Sequence, residues 1–149
     1  MKMGGTCPFC RAKTPTSYEE QVNHLRPWVK KKKAWAQYLM GQHYLNGTGV
    51  KRSYEMAKRL LKQSAQQGDA SAVFNLGVMY NNGDGGERDM KKAKEYYEQA
   101  AHLGDAMAMN TLGWMCNNGL GDIEQSYVKA KKYYERAIEA NDAPRFHLE

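Results

Sequence analysis

The sequence predicts an all-α fold built as a repeat array, and three observations carry that prediction. The first is a fixed glycine period: Gly41, Gly77 and Gly113 lie 36 residues apart, as do Gly47, Gly83 and Gly119, and Gly49, Gly85 and Gly121. A period of this size marks one supersecondary unit stacked on copies of itself. The second is the apolar spacing within each unit. Ala57, Leu60, Leu61, Ser64 and Ala65 recur as Ala93, Tyr96, Tyr97, Ala100 and Ala101, and then as Ala130, Tyr133, Tyr134, Ala137 and Ile138. Steps of i, i+3, i+4, i+7 and i+8 trace one face of an α-helix, not a strand. The third is the corner chemistry, Gly68-Asp69, Gly104-Asp105 and Asn141-Asp142. Glycine or asparagine suits the left-handed residue that ends a helix, and aspartate caps the next one.

Each unit therefore reads as a helix, a Gly-x-Gly turn, a second helix and a corner. Ala34, Ala70, Ala106 and Ala143 open successive units, with Ala36, Ala72 and Ala108 two residues on. Gly77 and Gly113 fall inside the first helices, where glycine costs about 1 kcal/mol relative to alanine. Close packing of the paired helix is the expected compensation. The units are expected at 34–69, 70–105 and 106–142, after a leader over 1–16 and a capping helix over 17–33, with a fourth unit started over 143–149. In the capping segment, Ser17 or Thr16 before Glu19 and Glu20 reads as a helix start. Pro27 predicts a kink or break near Arg26, because it removes a donor and crowds the preceding turn.

The stretch Ala72-Val-Phe-Asn-Leu-Gly-Val-Met-Tyr-Asn-Asn-Gly-Asp-Gly85 is followed by Lys92-Ala-Lys-Glu-Tyr-Tyr-Glu-Gln-Ala-Ala101, and both return as Ala108-Met-Asn-Thr-Leu-Gly113 and Lys129-Ala-Lys-Lys-Tyr-Tyr134. These segments resemble the Sel-like repeats, relatives of the tetratricopeptide array. The first unit is looser, with Ser64 and Gln37 at positions that are elsewhere alanine and apolar. The resemblance implies a right-handed α-solenoid that serves as a scaffold or adaptor in protein complexes. It implies no catalytic residues, and the chain is expected not to be an enzyme.

The composition bounds the partners. The net charge is +6, and residues 1–33 hold eight basic and two acidic side chains while residues 34–149 hold fourteen of each. The array itself is thus neutral and lacks a basic footprint for nucleic acid. The excess centres on Lys30-Lys31-Lys32-Lys33, read as a solvated helix C-terminus favoured by the macrodipole, without interleaved aromatics to stack bases. No apolar run reaches the length of a membrane helix, and no signal-peptide pattern is present. The expectation is a cytoplasmic or nuclear protein that binds neither nucleic acid nor membrane.

One chemical motif stands in the leader, Cys7-Pro8-Phe9-Cys10-Arg11. Two cysteines separated by two residues form half of a tetrahedral zinc site. The wording is similar to the last ligand pair of a RING finger, the domain by which many ubiquitin ligases grip a conjugating enzyme. That resemblance implies a fragment of a RING-type ligase-like protein whose repeats recruit substrate. His24 has no second histidine at ligand spacing, and Cys116, in the place of Tyr44 and Tyr80, reads as a core thiol. No cofactor is expected, unless zinc binds Cys7 and Cys10 with ligands from another chain or from missing residues. The pair also resembles the active-site wording of glutaredoxin-like proteins, but that chemistry needs a βαβ context.

In arrays of this kind the first helices line the concave side. Candidate partner-binding residues are then Tyr38, Gln42 and Leu45, Phe74, Val78 and Asn81, and Asn110, Trp114 and Asn117, each set spaced i, i+4, i+7. The competing reading is that the aromatics touch neighbouring helices instead. The favoured function is a non-enzymatic scaffold for a protein or peptide partner on this face. Three units are near the minimum for independent stability, so self-association through uncapped repeat ends is also expected.

Overall fold

A computed structural model describes residues 17–142, which form seven helices. These are α1 (Tyr18–Lys30), α2 (Ala34–Asn46), α3 (Tyr54–Gln66), α4 (Ala70–Asn82), α5 (Met90–His102), α6 (Ala106–Asn118) and α7 (Tyr127–Asp142). No strand occurs among the described residues. Each helix packs chiefly on its neighbours in the chain, with the closest pairings within units: α2 with α3, α4 with α5, and α6 with α7. This is the contact pattern of a solenoid.

Composition assigns the two helices of a unit to different environments. The first helices α2, α4 and α6 contain no Lys, Arg, Asp or Glu, whereas α3, α5 and α7 are rich in them. An inner helix touches its own partner and the preceding unit, so a charge there would be desolvated on most sides. An outer helix needs only one apolar stripe. The buried residues follow suit: Ala57, Leu60, Leu61 and Ser64 on α3, and Ala93, Tyr97, Ala100 and Ala101 on α5.

The glycines inside the first helices are close-approach positions. A Cβ on Gly77 would stand 2.7 Å from Tyr97 Cε1, and one on Gly113 would stand 2.8 Å from Tyr134 Cε1. Gly41 meets the Leu61 side chain at 3.0 Å in the same register. Each turn then begins with a left-handed glycine, Gly47, Gly83 or Gly119, whose N–H closes the last helical turn. The start of each outer helix is tied back to the inner one: Ser53 N–H donates to Tyr44 O, Asp89 N–H to Tyr80 O and Ser126 N–H to Cys116 O. The residue inserted after Gly121 is absorbed in the third turn, where Asp122 takes a left-handed conformation (φ 61°).

Side-chain caps hold most helix starts. Ser17, Ser53, Asp69, Asp89 and Asp105 each accept the backbone N–H three residues on. Only α2 among the first six helices begins without one, at Lys33.

Two sequence expectations fail here. The break expected near Arg26 does not occur, since helix α1 runs on through Pro27. Only one turn follows the proline, and that turn is closed by Lys31 N–H on Pro27 O and Lys33 N–H on Trp28 O. The Asn141-Asp142 corner does not form either, since α7 continues through Asp142. Asparagine there stays helical, whereas Gly68 and Gly104 turn left-handed (φ 88° and 92°).

The close approach gives a stability prediction. Gly77→Ala should destabilise the protein by about 1–2 kcal/mol in urea unfolding, because overpacking against Tyr97 outweighs the gain in helix propensity. Gly86→Ala, where a Cβ would meet nothing within 4 Å, should be neutral or slightly stabilising.

Candidate functional site

The inner helices present their remaining face as a stripe across the array. On α2 the hydroxyl of Tyr38 accepts from Gln42 Nε2 at 2.6 Å and pairs with Asn75 of α4. Burial pushes the Tyr38 phenol above its ordinary pKa. Tyr38 and Leu45 rest on the core formed by Ala57, Leu61, Ala72, Leu76 and Met79. On α4, Phe74 tilts against the Tyr97 ring at 5.5 Å, and Phe74 and Val78 pack on a second core cluster that includes Val73, Tyr97, Met109 and Leu112. Tyr38, Gln42, Leu45, Phe74, Val78, Asn81 and Asn117 are all half-buried, while Asn110 and Trp114 are exposed. The backbone carbonyl of Asn117 accepts from Gln125 Nε2.

The most open large apolar side chains of the inner helices are the candidate Trp114 and three that lie beside the candidates. Trp35 and Leu39 of α2 are 48% and 39% exposed, and Met107 and Trp114 of α6 are 61% and 54% exposed. Trp35, Leu39 and Gln42 share one face of α2, as Met107, Thr111 and Trp114 share the corresponding face of α6. In the middle unit these positions are Ser71, Asn75 and Val78. The stripe is thus apolar at both ends and more polar in the centre. Trp35, Leu39 and Met107 escaped the sequence reading, which followed the face that begins at Tyr38, Phe74 and Asn110; helical spacing alone does not show which of two adjoining faces is the more open.

The acidic caps Asp69 and Asp105 act electrostatically on Tyr38. Burial also raises the Asp105 carboxyl pKa, against the opposing effect of N–H donation from Ala108 and Met107. Cys116 is buried, and burial pushes its thiol up. His43 Nδ1 lies 2.9 Å from both the carbonyl and the hydroxyl oxygen of Thr48, inside the first turn. Among the described residues no group of three or more His, Cys, Asp or Glu is placed to hold a metal ion. Cys7 and Cys10 lie outside the described residues. No described helix is long and apolar enough to cross a membrane.

The lysine run does not simply trail off a helix end. Lys30 ends α1, Lys31 follows at its C-cap, Lys32 turns left-handed (φ 57°) and Lys33 stands at the uncapped start of α2. Trp28 and Trp35 flank the run and meet at 5.7 Å, with Lys31 Nζ 4.9 Å above the Trp28 ring. Aromatics therefore do accompany the lysines. Their spacing in sequence hides a contact that only the corner creates.

The Sel1 repeat family matches residues 36–69, 70–105 and 106–142. No curated protein matches the chain. Among solved structures, a Sel1 repeat protein from Oxalobacter formigenes aligns with TM-score 0.74 and 35% identity, over 83% of this chain and 49% of that one. A protective antigen of uropathogenic Escherichia coli displaying an SLR fold aligns with TM-score 0.76 and 30% identity, over 87% of this chain and 27% of that one. Cysteine-rich protein B of Helicobacter pylori shares the fold, with TM-score 0.68 at 18% identity, over 86% of this chain and 94% of that one. The chain thus spans about half the length of the first of these proteins and about a quarter of the second. None of these likenesses supports the RING-finger resemblance of the leader.

The contact between site and core gives a pH prediction. Burial pushes the Tyr97 phenol up to about 12. A phenol that ionises less readily when folded leaves stability intact below the unfolded pKa of about 10, and removes it as pH rises from there toward 12. Urea unfolding at pH 9 and pH 11 should show a loss of about 1 kcal/mol or more, and Tyr97→Phe should lessen it.

Proposed function

Because this chain belongs to the Sel1 repeat family, we propose that it is a non-enzymatic scaffold that recognises a protein or peptide partner through the open stripe of its first helices. Proteins of this family generally act as scaffolds for protein–protein interaction. The observation that supports the stripe is its composition: helices without a single charge keep Trp35, Leu39, Met107 and Trp114 in solvent. Large apolar side chains left open on a rigid support are the kind that dominate interface energetics. Of the half-buried members, Tyr38 ties α2 to Asn75 of the next inner helix, and Phe74 and Val78 anchor α4 on the core. Gln42, Asn81, Asn110 and Asn117 supply amide groups for a partner's backbone.

Self-association belongs to the same proposal. On α7, Tyr134 and Ile138 are 36% and 60% exposed, where the corresponding Tyr97 and Ala101 are covered by the following unit. A helix of another chain would satisfy this face as the next repeat does.

Peptides selected from a display library on the full chain test the main reading. Trp114→Ala and Leu39→Ala should each weaken the selected peptides by about tenfold while leaving the thermal midpoint unchanged. Phe74→Ala should lower the midpoint as well, because it removes a core contact with Tyr97. Peptides that bind equally well to the Trp114 and Leu39 variants would overturn the stripe as the recognition surface.

A further inference from the structure

The first unit departs from the repeat in several places, and the departures converge on one groove. By the repeat register, Gln37 replaces Val73 and Met109, Lys32 replaces Gly68 and Gly104, and Leu60 replaces Tyr96 and Tyr133. Lys33 stands where Asp69 and Asp105 cap their helices, so a cation sits at a helix start, where the macrodipole disfavours it. Lys32 takes a left-handed backbone conformation at a position where the next two units use glycine. Such strain persists only where the surroundings or a function require it.

Gln37, Met40 and Tyr44 form one face of α2 and the floor of a groove walled by α1 and α3. Gln37 is only 3% exposed, yet polar. Its carbonyl oxygen accepts from Gln67 Nε2 at 2.7 Å, and its own Nε2 donates to Gln63 Oε1 at 3.3 Å. Gln67 Nε2 also lies 3.0 Å from the carbonyl oxygen of Lys32, tying the strained corner to the amide cluster.

The groove holds a cavity of about 610 Å³ at the corner end, and a second of about 270 Å³ beyond it. Val29, Lys30, Arg59 and Leu60 line both, Lys32 the first and Arg26 the second. No acidic residue lines either one. At the next groove along the array, cavities of about 290 Å³ and 420 Å³ share Tyr96 and Gln99, the acidic Glu95 lines the second, and Tyr96 stacks on Tyr80 at 5.4 Å. Leucine at position 60 leaves that space open in the first unit.

We propose that the groove between α1 and α3 binds an acidic peptide segment of a protein partner. Its carboxylates would meet Arg26, Lys30, Lys32 and Arg59, and its apolar side chains would rest on Val29, Met40 and Leu60. The amides of Gln63 and Gln66 offer the donors and acceptors that a peptide backbone needs. A single-stranded nucleic acid would call for rings on which bases stack. Trp28 and Trp35 line neither cavity, Tyr44 is the single ring in the second, and the mixture of cations with Val29, Met40 and Leu60 fits a peptide. This surface uses α1, α3 and a different face of α2 from the first-helix stripe, and stands independently of it.

Fluorescence anisotropy of a labelled peptide of alternating glutamate and leucine, titrated with the full chain, tests the groove. Saturable binding is expected. Arg59→Glu should weaken it by about tenfold or more, since attraction becomes repulsion, while Lys132→Glu, the same reversal at the matching position of the third unit, should stay within about twofold. Lys32→Gly should weaken binding by about threefold while raising the thermal midpoint, because it removes a charge and relieves the left-handed strain. Loss of affinity in that variant therefore cannot come from unfolding. Absence of saturable binding, equal weakening by Lys132→Glu, or tighter binding of a single-stranded polythymidine would overturn the proposal.

Discussion

The approach of two helix backbones at Gly41, Gly77 and Gly113 is the constraint on which the rest of the array depends. With no Cβ at these points, the side chain of Leu61, Tyr97 or Tyr134 lies directly across the inner helix. The outer helix contributes small residues on either side, Ala57, Ala93, Ala100, Ala130 and Ala137, all buried. Glycine's poor helix propensity is offset by the dispersion contacts of a ring laid on bare backbone. The hairpin so formed is the unit that stacks. Its inner helix is enclosed on two sides, and this is why no charge appears in α2, α4 or α6.

That enclosure also shapes what the protein offers to others. The inner helices carry no Lys, Arg, Asp or Glu and expose a narrow apolar stripe. The stripe suits a partner that brings its own apolar anchors. The groove under the first corner has the opposite character, cationic and lined with amides. The two surfaces lie on the same inner helix α2, with Leu39 in the stripe and Gln37 and Met40 in the groove. On the proposed reading, the two surfaces would hold two chemically different segments at a fixed separation, because the helix between them is packed too tightly to adjust.

Much of the architecture was legible in the sequence, because it is a matter of period and local chemistry. The glycine spacing, the apolar steps of the outer helices and the aspartate caps are each decided within a few residues and then repeated. What escaped was decided by tertiary context. Pro27 sits one turn from the end of α1, where a missing donor is tolerated and the next amides find Pro27 and Trp28 carbonyls. The lysine run is the solvated helix C-terminus that the sequence suggests, but sequence alone does not show that Lys32 occupies a glycine position of the corner. The site was legible in outline only. Helical spacing identified the inner-helix face, but the degree of exposure depends on how far each unit rotates on the last, which left Leu39 and Met107 unremarked beside Tyr38 and Asn110.

Amide hydrogen exchange across the full chain tests most directly whether the glycine-clamped hairpin is the energetic unit. Both helices of the central unit, α4 and α5, should share the highest protection and exchange together, with α1 and α7 opening first. The inner helices α2 and α6 should follow their own outer partners α3 and α7, rather than the neighbouring unit. Exchange in which α4 opens together with α3 while α5 remains protected would contradict the account, since it would place the stronger interface between units and not within them.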